Sequence, residues 1–314
     1  MAGSGKTDRQ GRNIPYVLIT PARNEADFIE QTIQSVIRQT VLPLKWVIVS
    51  DGSTDGTDDI VKKYVRNHPW IELVRMPERN ERHFAGKVYA FCAGYEKING
   101  LKYDIIGSVD ADISFDPDYI DFLLEKFSQD PALGVAGTPF REGTVQYDYR
   151  YSRKEHVSGA CQLFRKECFE SIGGYVPLKA GAIDLTAVVT ARMKGWKTET
   201  FTGMACTHHR PMGSAKHRFI KATFRSGYYD YPMGVHPLWQ LFRSIYQMSR
   251  KPYVFGGSLL LAGYLWAMLK RVPTPVSMEF VHFRRNEQMQ WLKEYFTKGL
   301  ARLRLPRGSD ANHG

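Results

Sequence analysis

Short apolar runs and helical repeats alternate along the first two thirds of this chain. Tyr16 to Thr20 is a β-branched run of strand length, after which Ile29, Ile33, Val36 and Ile37 recur at helical spacing until Pro43 stops the pattern. Trp46 to Val49 predicts a second buried strand, with a helix behind it marked by Ile60, Val61, Tyr64 and Val65. Ile71 to Val74 predicts a third strand, and Val88, Phe91, Cys92 and Tyr95 mark the next helix. The run from Asp104 to Val109 ends in Asp110-Ala111-Asp112; beyond it, Asp116 is expected to cap a helix that opens at Pro117 and buries Ile120, Leu123, Leu124 and Phe127. Strands alternating with helices of this length predict an α/β fold, a mostly parallel sheet with helices on both faces.

Ligands of such a sheet bind beyond the carboxyl ends of its strands. Thr20-Pro21-Ala22-Arg23, Asp51-Gly52-Ser53 and Asp110-Ala111-Asp112 each follow a strand, so three loops are expected to converge on one crevice. Two carboxylates two residues apart make a hard-oxygen site for a divalent cation, which can in turn hold a diphosphate.

Composition narrows the classes further. A chain of 314 residues, 43% hydrophobic and 24% charged, can bury a full core. Residues 1–13 and 307–314 lack apolar periodicity and are expected as tails, and no apolar signal segment opens the chain. Cys92, Cys161, Cys168 and Cys206 include no C-x-x-C pair and are expected as reduced, buried thiols of a cytoplasmic protein. Gly3-Ser4-Gly5-Lys6-Thr7 copies the tail of a phosphate loop without its leading glycine or preceding strand. The segment from Asp51 imitates a calcium loop, but its twelfth position is Lys62 where a bidentate glutamate is needed. No G-x-G-x-x-G follows the first strand, which argues against a dinucleotide cofactor.

The ordered motifs Pro21-Ala22-Arg23-Asn24-Glu25, Val49 to Thr57, Ala85-Gly86-Lys87 with Ala90 and Gly94, and Val109-Asp110-Ala111-Asp112 resemble the family 2 glycosyltransferases. The resemblance covers roughly residues 14–210, and implies the GT-A nucleotide-sugar-binding fold, an inverting reaction and a Mn²⁺ or Mg²⁺ ion. By the same resemblance Pro21, Ala22, Arg23, Glu25 and Asp51 bind the base and ribose of the donor. Asp110 contacts the ribose side, Asp112 the metal, and Lys87 is similar to a basic residue near the donor, its alternative being a solvated lysine at a helix start.

Breaking a sugar–phosphate bond leaves a charged diphosphate, and the attacking acceptor hydroxyl needs a base on the opposite face of the sugar. Asp184, behind Gly173-Gly174-Tyr175 and at the start of a helix expected to have Leu185, Val188 and Val189 on its apolar side, resembles the family's base; the competing reading is a helix cap. The family often has Glu-Asp here, whereas this chain has Ile183-Asp184. A histidine in His208-His209-Arg210 is expected to complete the metal shell, His209 being favoured, with diphosphate contact by either histidine or Arg210 as the other use.

The formal charge of +11 calls for an anionic partner. Residues 211–306 are expected to form a helical region that associates with a membrane and receives the acceptor. Lys216, Arg218, Lys221 and Arg225 alternate with Phe219, Ile220 and Phe224, as at a lipid interface, a solvated helix face being the other reading. Val254 to Leu269 carries no charge but is short for a span, and Arg250, Lys251, Lys270 and Arg271 flank both of its ends. An interfacial or re-entrant segment is favoured over a buried helix, and both over a crossing. The end of the chain resembles bacterial exopolysaccharide and O-antigen transferases, which act on polyprenyl-diphosphate-linked sugars at the cytoplasmic membrane face. The absence of Q-x-x-R-W and of several spans implies one sugar per encounter. A sugar-nucleotide nucleotidyltransferase and a non-catalytic basic module that binds a membrane or nucleic acid are the alternatives; the favoured reading includes no nucleic acid.

Overall fold

The computed structural model of the protein describes residues 14–79, 83–142, 145–146, 153–210 and 216–304. The expected tails and the imitation phosphate loop lie outside these residues. The chain divides into two compact units, Met1–Met212 and Gly213–Gly314.

The first unit is built on a seven-stranded sheet. In chain order its elements begin β1 (Tyr16–Ala22), α1 (Ile29–Ile37), β2 (Lys45–Asp51), α2 (Thr57–Val65), β3 (Ile71–Met76), α3 (Ala85–Glu96) and β4 (Ile105–Val109). They continue with β5 (Ile113–Ser114), α4 (Tyr119–Gln129), β6 (Leu133–Gly137), β7 (Phe140–Glu142), β8 (Val145–Gln146) and β9 (Cys161–Arg165). The last four are α5 (Lys166–Ser171), α6 (Ile183–Met193), β10 (Lys197–Thr200) and β11 (Cys206–His208). The sheet order is β10-β6-β9-β4-β1-β2-β3, and β9 alone runs antiparallel to its neighbours β4 and β6. A smaller sheet, β5-β11-β7-β8, stands beyond the carboxyl end of β4.

Alternation along β1 explains the two-sided burial. Tyr16 and Leu18 join a core with Ile33, Val36, Trp46, Leu123 and Phe127 on the α1, α2 and α4 face. Val17 and Ile19 join Val47, Phe91, Phe164, Phe169 and Val188 on the α3, α5 and α6 face. Both faces are dry, so the strands read as continuous apolar runs.

Three details differ from the sequence expectations. Cys92 is exposed while the other three thiols are buried, because the inward face of α3 runs through Val88, Phe91 and Gly94. Helix α4 begins at Tyr119, and Asp116 gives it no side-chain cap. The cap comes instead from Gln39 of the α1 turn: its Oε1 accepts from Ile120 N at 2.9 Å, and its Nε2 donates to the Asp116 carbonyl at 2.8 Å. On α6, Leu185 is only half-buried; Ile183, Thr186, Ala187, Val188 and Val189 make the inner face.

The second unit consists of α7 (Lys216–Asp230), α8 (Pro237–Met248), α9 (Phe255–Leu269) and α10 (Met278–Arg304). Helix α9 packs by missing side chains: a Cβ on Gly263 would run into the Phe224 carbonyl of α7, and one on Gly257 into the Ser244 carbonyl of α8. No described helix is long and apolar enough to cross a membrane.

Candidate active site

The loops after β1 and β2 are sewn together by short polar side chains. Ser53 Oγ accepts from Asn24 N at 3.1 Å, Asn24 Oδ1 accepts from Thr54 N at 2.9 Å, and Thr57 Oγ1 accepts from Glu25 N at 2.9 Å. Asp55 accepts from Ala26 N at 2.9 Å and Thr57 N at 3.0 Å. The residues that imitate a calcium loop thus hold the first loop in place. Asn24 sits at φ 56°, a left-handed conformation that asparagine tolerates. Pro21 and Ala22 fall at the end of β1, opposite Val49 and Ser50 and beyond the last residue paired with β4.

Asp51 is buried at the end of β2 and faces two guanidinium groups. Arg79 Nε donates to its Oδ1 at 3.0 Å and Arg79 Nη2 to its Oδ2; Arg23 Nη1 stands 3.8 Å from the latter. Arg79 also lies over the Tyr89 ring at 5.7 Å. Sequence reasoning missed Arg79, although a basic residue just past β3 occupies the same sheet edge as the three loops.

The acidic loop after β4 is fixed from behind. Thr32 Oγ1 of α1 contacts the carbonyls of Ala111 at 2.9 Å and Ile113 at 2.7 Å, and Asp110 N donates to the Ala160 carbonyl at 2.9 Å. Lys87, in the first turn of α3, pairs with Asp110 Oδ1, and its Nζ lies 3.4 Å from the Gly159 carbonyl. Burial pulls the Lys87 ammonium down, but Asp110, then Asp184 and Asp112, outweigh it and hold the group above its usual value.

Asp184 enters the same place from α6. It is the second helical residue, follows Ala182 at φ 63°, and no side-chain capping bond is present at this helix start. It packs on Gly159: a Cβ there would lie 3.0 Å from the Cβ, Cγ and Oδ2 of Asp184. Lys87 and Asp184 therefore meet about a residue that has no side chain to separate them.

Around Asp112 the two histidines divide. His208 Nε2 is 3.4 Å from Asp112 Oδ2, and its Nδ1 is 3.0 Å from Glu142 Oε1. The His209 ring turns to Ser114 Oγ at 2.8 Å, while its backbone N donates to the Asp112 carbonyl at 2.8 Å. Burial lowers the His209 pKa and favours its neutral form. Arg210 Nε donates to Asp112 Oδ2 at 3.2 Å, its Nη2 pairs with Glu25, and its guanidinium lies over Phe28 at 5.4 Å.

Among the described residues no three His, Cys, Asp or Glu side chains converge as a ready metal cage. Mg²⁺ and Mn²⁺ do not need one, since they are commonly held by one or two carboxylates and the substrate's own phosphates. Asp112 with an adjacent imidazole fits that mode.

Glu25 has an unusual proton balance. Burial, then repulsion by Asp112, outweighs the attraction of Arg210 and raises its pKa to about 7. The folded state therefore binds this proton more tightly than the unfolded chain. The resulting stability is fully present below the ordinary carboxylate range and is lost as pH rises through about 7. Relative to wild type, Glu25→Gln is expected to gain thermal stability between about pH 5 and pH 8, by up to about 2 kcal/mol. Melting curves of the two proteins that stay parallel across this interval would contradict it.

A largely parallel sheet with acidic residues, a lysine and arginines gathered at its carboxyl edge is an α/β domain of GT-A-like type. The description of Glycosyl transferase family 2 matches residues 17–182, and the chain belongs to that family. The nucleotidyltransferase and non-catalytic readings are thereby set aside.

A chondroitin synthase of Pasteurella multocida (strain Pm70) is 30% identical over 135 residues, 43% of this chain and 13% of that enzyme. The match thus spans about an eighth of that relative's length. Among solved structures, a mannosyltransferase of Pyrobaculum calidifontis in complex with GDP-Man and Mn²⁺ aligns at TM-score 0.52 and 17% identity, over 91% of this chain and 80% of that one. The Staphylococcus aureus protein TarS (residues 1–349) in complex with UDP-GlcNAc aligns at TM-score 0.52 and 13% identity, over 86% and 78%. The first unit shares the fold of these two proteins.

Proposed function

We propose that the protein transfers one sugar per encounter, with inversion, from a nucleoside diphosphate sugar to a saccharide carried on polyprenyl diphosphate. The donor is taken as a UDP-sugar and the product as part of an exopolysaccharide or other cell-surface glycan. The reaction is placed at the cytoplasmic face of the bacterial inner membrane. The observation that carries this reading is the meeting of Asp184, Lys87 and Asp110 about Gly159, beside Asp112.

Asp184 accepts the proton of the acceptor hydroxyl as that oxygen bonds to the anomeric carbon. The bond from that carbon to the donor phosphate breaks in the same displacement, which inverts the centre. The nucleoside diphosphate departs with its negative charge, and Lys87 and Arg210 are the cationic side chains placed to meet it. Asp112, with His209 or His208 beside it, would hold Mn²⁺ or Mg²⁺, which would supply further positive charge for the diphosphate. Asp110 keeps Lys87 charged and faces the ribose side. The sewn loop from Pro21 through Ala22 and Arg23 to Glu25, with Asp51, receives the base and ribose.

Solved structures of this fold carry UDP-GlcNAc in one case and GDP-Man in another, so both bases belong in the test. Calorimetric titration with UDP and with GDP, each with and without Mn²⁺, is expected to show manganese-dependent binding of UDP. Binding of neither nucleotide would overturn the donor-site reading; binding of GDP alone would change the base.

A further inference from the structure

Helix α8 is built inside out. Its buried positions are Gln240 and Ser244, whereas Leu238, Leu241 and Ile245 are exposed along one stripe. An amphipathic helix of a water-soluble domain has the opposite arrangement. The inversion extends to its neighbours: Arg284 and Gln288 of α10 are buried, donating to the Met233 carbonyl at 2.6 Å and accepting from His236 N at 2.8 Å. Small residues at helix contacts, polar side chains between helices and apolar side chains outward are how helices pack against one another in lipid.

Helix α9 completes the surface. It runs antiparallel to α8, with Gln240 Nε2 at 3.5 Å from the Leu260 carbonyl and Gly257 against the Ser244 carbonyl. Its inner face is Gly257, Leu260, Gly263, Tyr264 and Ala267, and its outer face shows Leu265 and Trp266, with Phe255 and Leu269 at its ends 73% and 74% exposed. The turn before it holds Val254 at φ 63°, a strained conformation for a β-branched residue, and presents Tyr253, Val254 and Phe255 together. Between Tyr231 and Met278 the chain has no acidic residue, while Arg243, Arg250, Lys251, Lys270 and Arg271 are basic. The nearest acid before this stretch, Asp230, is already paired with Arg243 at 3.1 Å.

We propose that the outer face of the α8–α9 hairpin docks into the headgroup–acyl boundary of an anionic lipid bilayer, with both helices lying in the membrane plane. The charges fix the orientation. Arg250 and Lys251 sit at the tip of the hairpin, so it cannot enter the hydrocarbon tip first. Lys270 and Arg271 at the far end of α9 hold that end at the same depth, and the Lys270 ammonium lies over Trp266 at 5.0 Å, as a lysine that reaches for headgroups beside a buried ring would. The uncharged segment noted in the sequence is thus neither a span nor a wholly buried helix. This deepens the acceptor side of the proposed function, since a lipid-linked saccharide is presented at such a surface, but docking itself does not depend on catalysis.

The test uses the full chain. Wild type is expected to co-sediment with phosphatidylglycerol-containing vesicles, weakly with phosphatidylcholine vesicles, and less in high salt. The quadruple variant Leu241→Ser, Ile245→Ser, Phe255→Ser, Leu269→Ser is expected to lose at least about tenfold in vesicle affinity while keeping its melting temperature and nucleotide binding. Lys270→Glu with Arg271→Glu, also at exposed positions, is the second variant should the first fold poorly, and it is expected to lose the preference for anionic vesicles. Undiminished binding by a folded variant overturns the proposal, as does a wild type that ignores anionic vesicles. So does a wild-type dimer that these substitutions dissociate, or RNA binding that they weaken, if vesicles are not bound. Nucleotide titration on the same samples separates the two readings: vesicle binding without nucleotide binding removes the transferase proposal alone, and the reverse removes the docking surface alone.

Discussion

Asp184→Asn is expected to lower kcat by about 10²–10⁴-fold while donor affinity changes by no more than about twofold. Asparagine caps helices as well as aspartate does, so a purely structural Asp184 would tolerate the exchange, and the melting temperature should not move. The side chain occupies the space a Cβ on Gly159 would crowd and stands near the Lys87 ammonium, and an amide has the same shape. A proton acceptor is a different matter, because the amide cannot take the hydroxyl proton. Steady-state kinetics with a lipid-linked or soluble acceptor, together with nucleotide titration, reads both quantities. Retained kcat would remove Asp184 from the reaction and leave it as part of the α6 start.

Asp112→Ala is expected to make nucleotide binding insensitive to Mn²⁺, with a loss of about 10²-fold or more in manganese-dependent affinity. The substitution frees Arg210 and His208, both of which now face Asp112 Oδ2. Metal-independent binding therefore persists or improves slightly, and the difference between titrations with and without Mn²⁺ is the informative quantity. Full transfer activity in Asp112→Ala would show that the cation is held elsewhere.

Much of this was legible in the sequence because strands buried on both faces read as short continuous apolar runs. The ends of β1, β2 and β4 could be placed from Tyr16–Thr20, Trp46–Val49 and the run before Asp110, and with them the loops that converge. Which of two adjacent histidines faces Asp112 could not be read that way. It depends on β11 pairing antiparallel with β5 so that His208 lies opposite Ile113, a register between strands more than ninety residues apart. Arg79 was hidden for a related reason: its partner Asp51 belongs to the neighbouring strand. Gly159 carried no signal, since a glycine matters there only once α3 and α6 have been brought against it. Helix α8 would have misled any reading of its period, because Leu238, Leu241 and Ile245 at helical spacing ordinarily mark the inward face.

Helix α1 looks in the sequence like an ordinary amphipathic helix, yet it grips the acidic loop at both ends. Thr32 holds the carbonyls of Ala111 and Ile113, and Gln39, just past its last turn, holds the Asp116 carbonyl and the amide of Ile120. The segment between them is a fixed mount and not a lid. Charges carried on a fixed mount keep their orientation when a diphosphate arrives, so little reorganisation energy is spent in turning dipoles as negative charge grows on the leaving group. On the proposed function, a donor would meet an electrostatic environment already set from behind by Thr32 and Gln39.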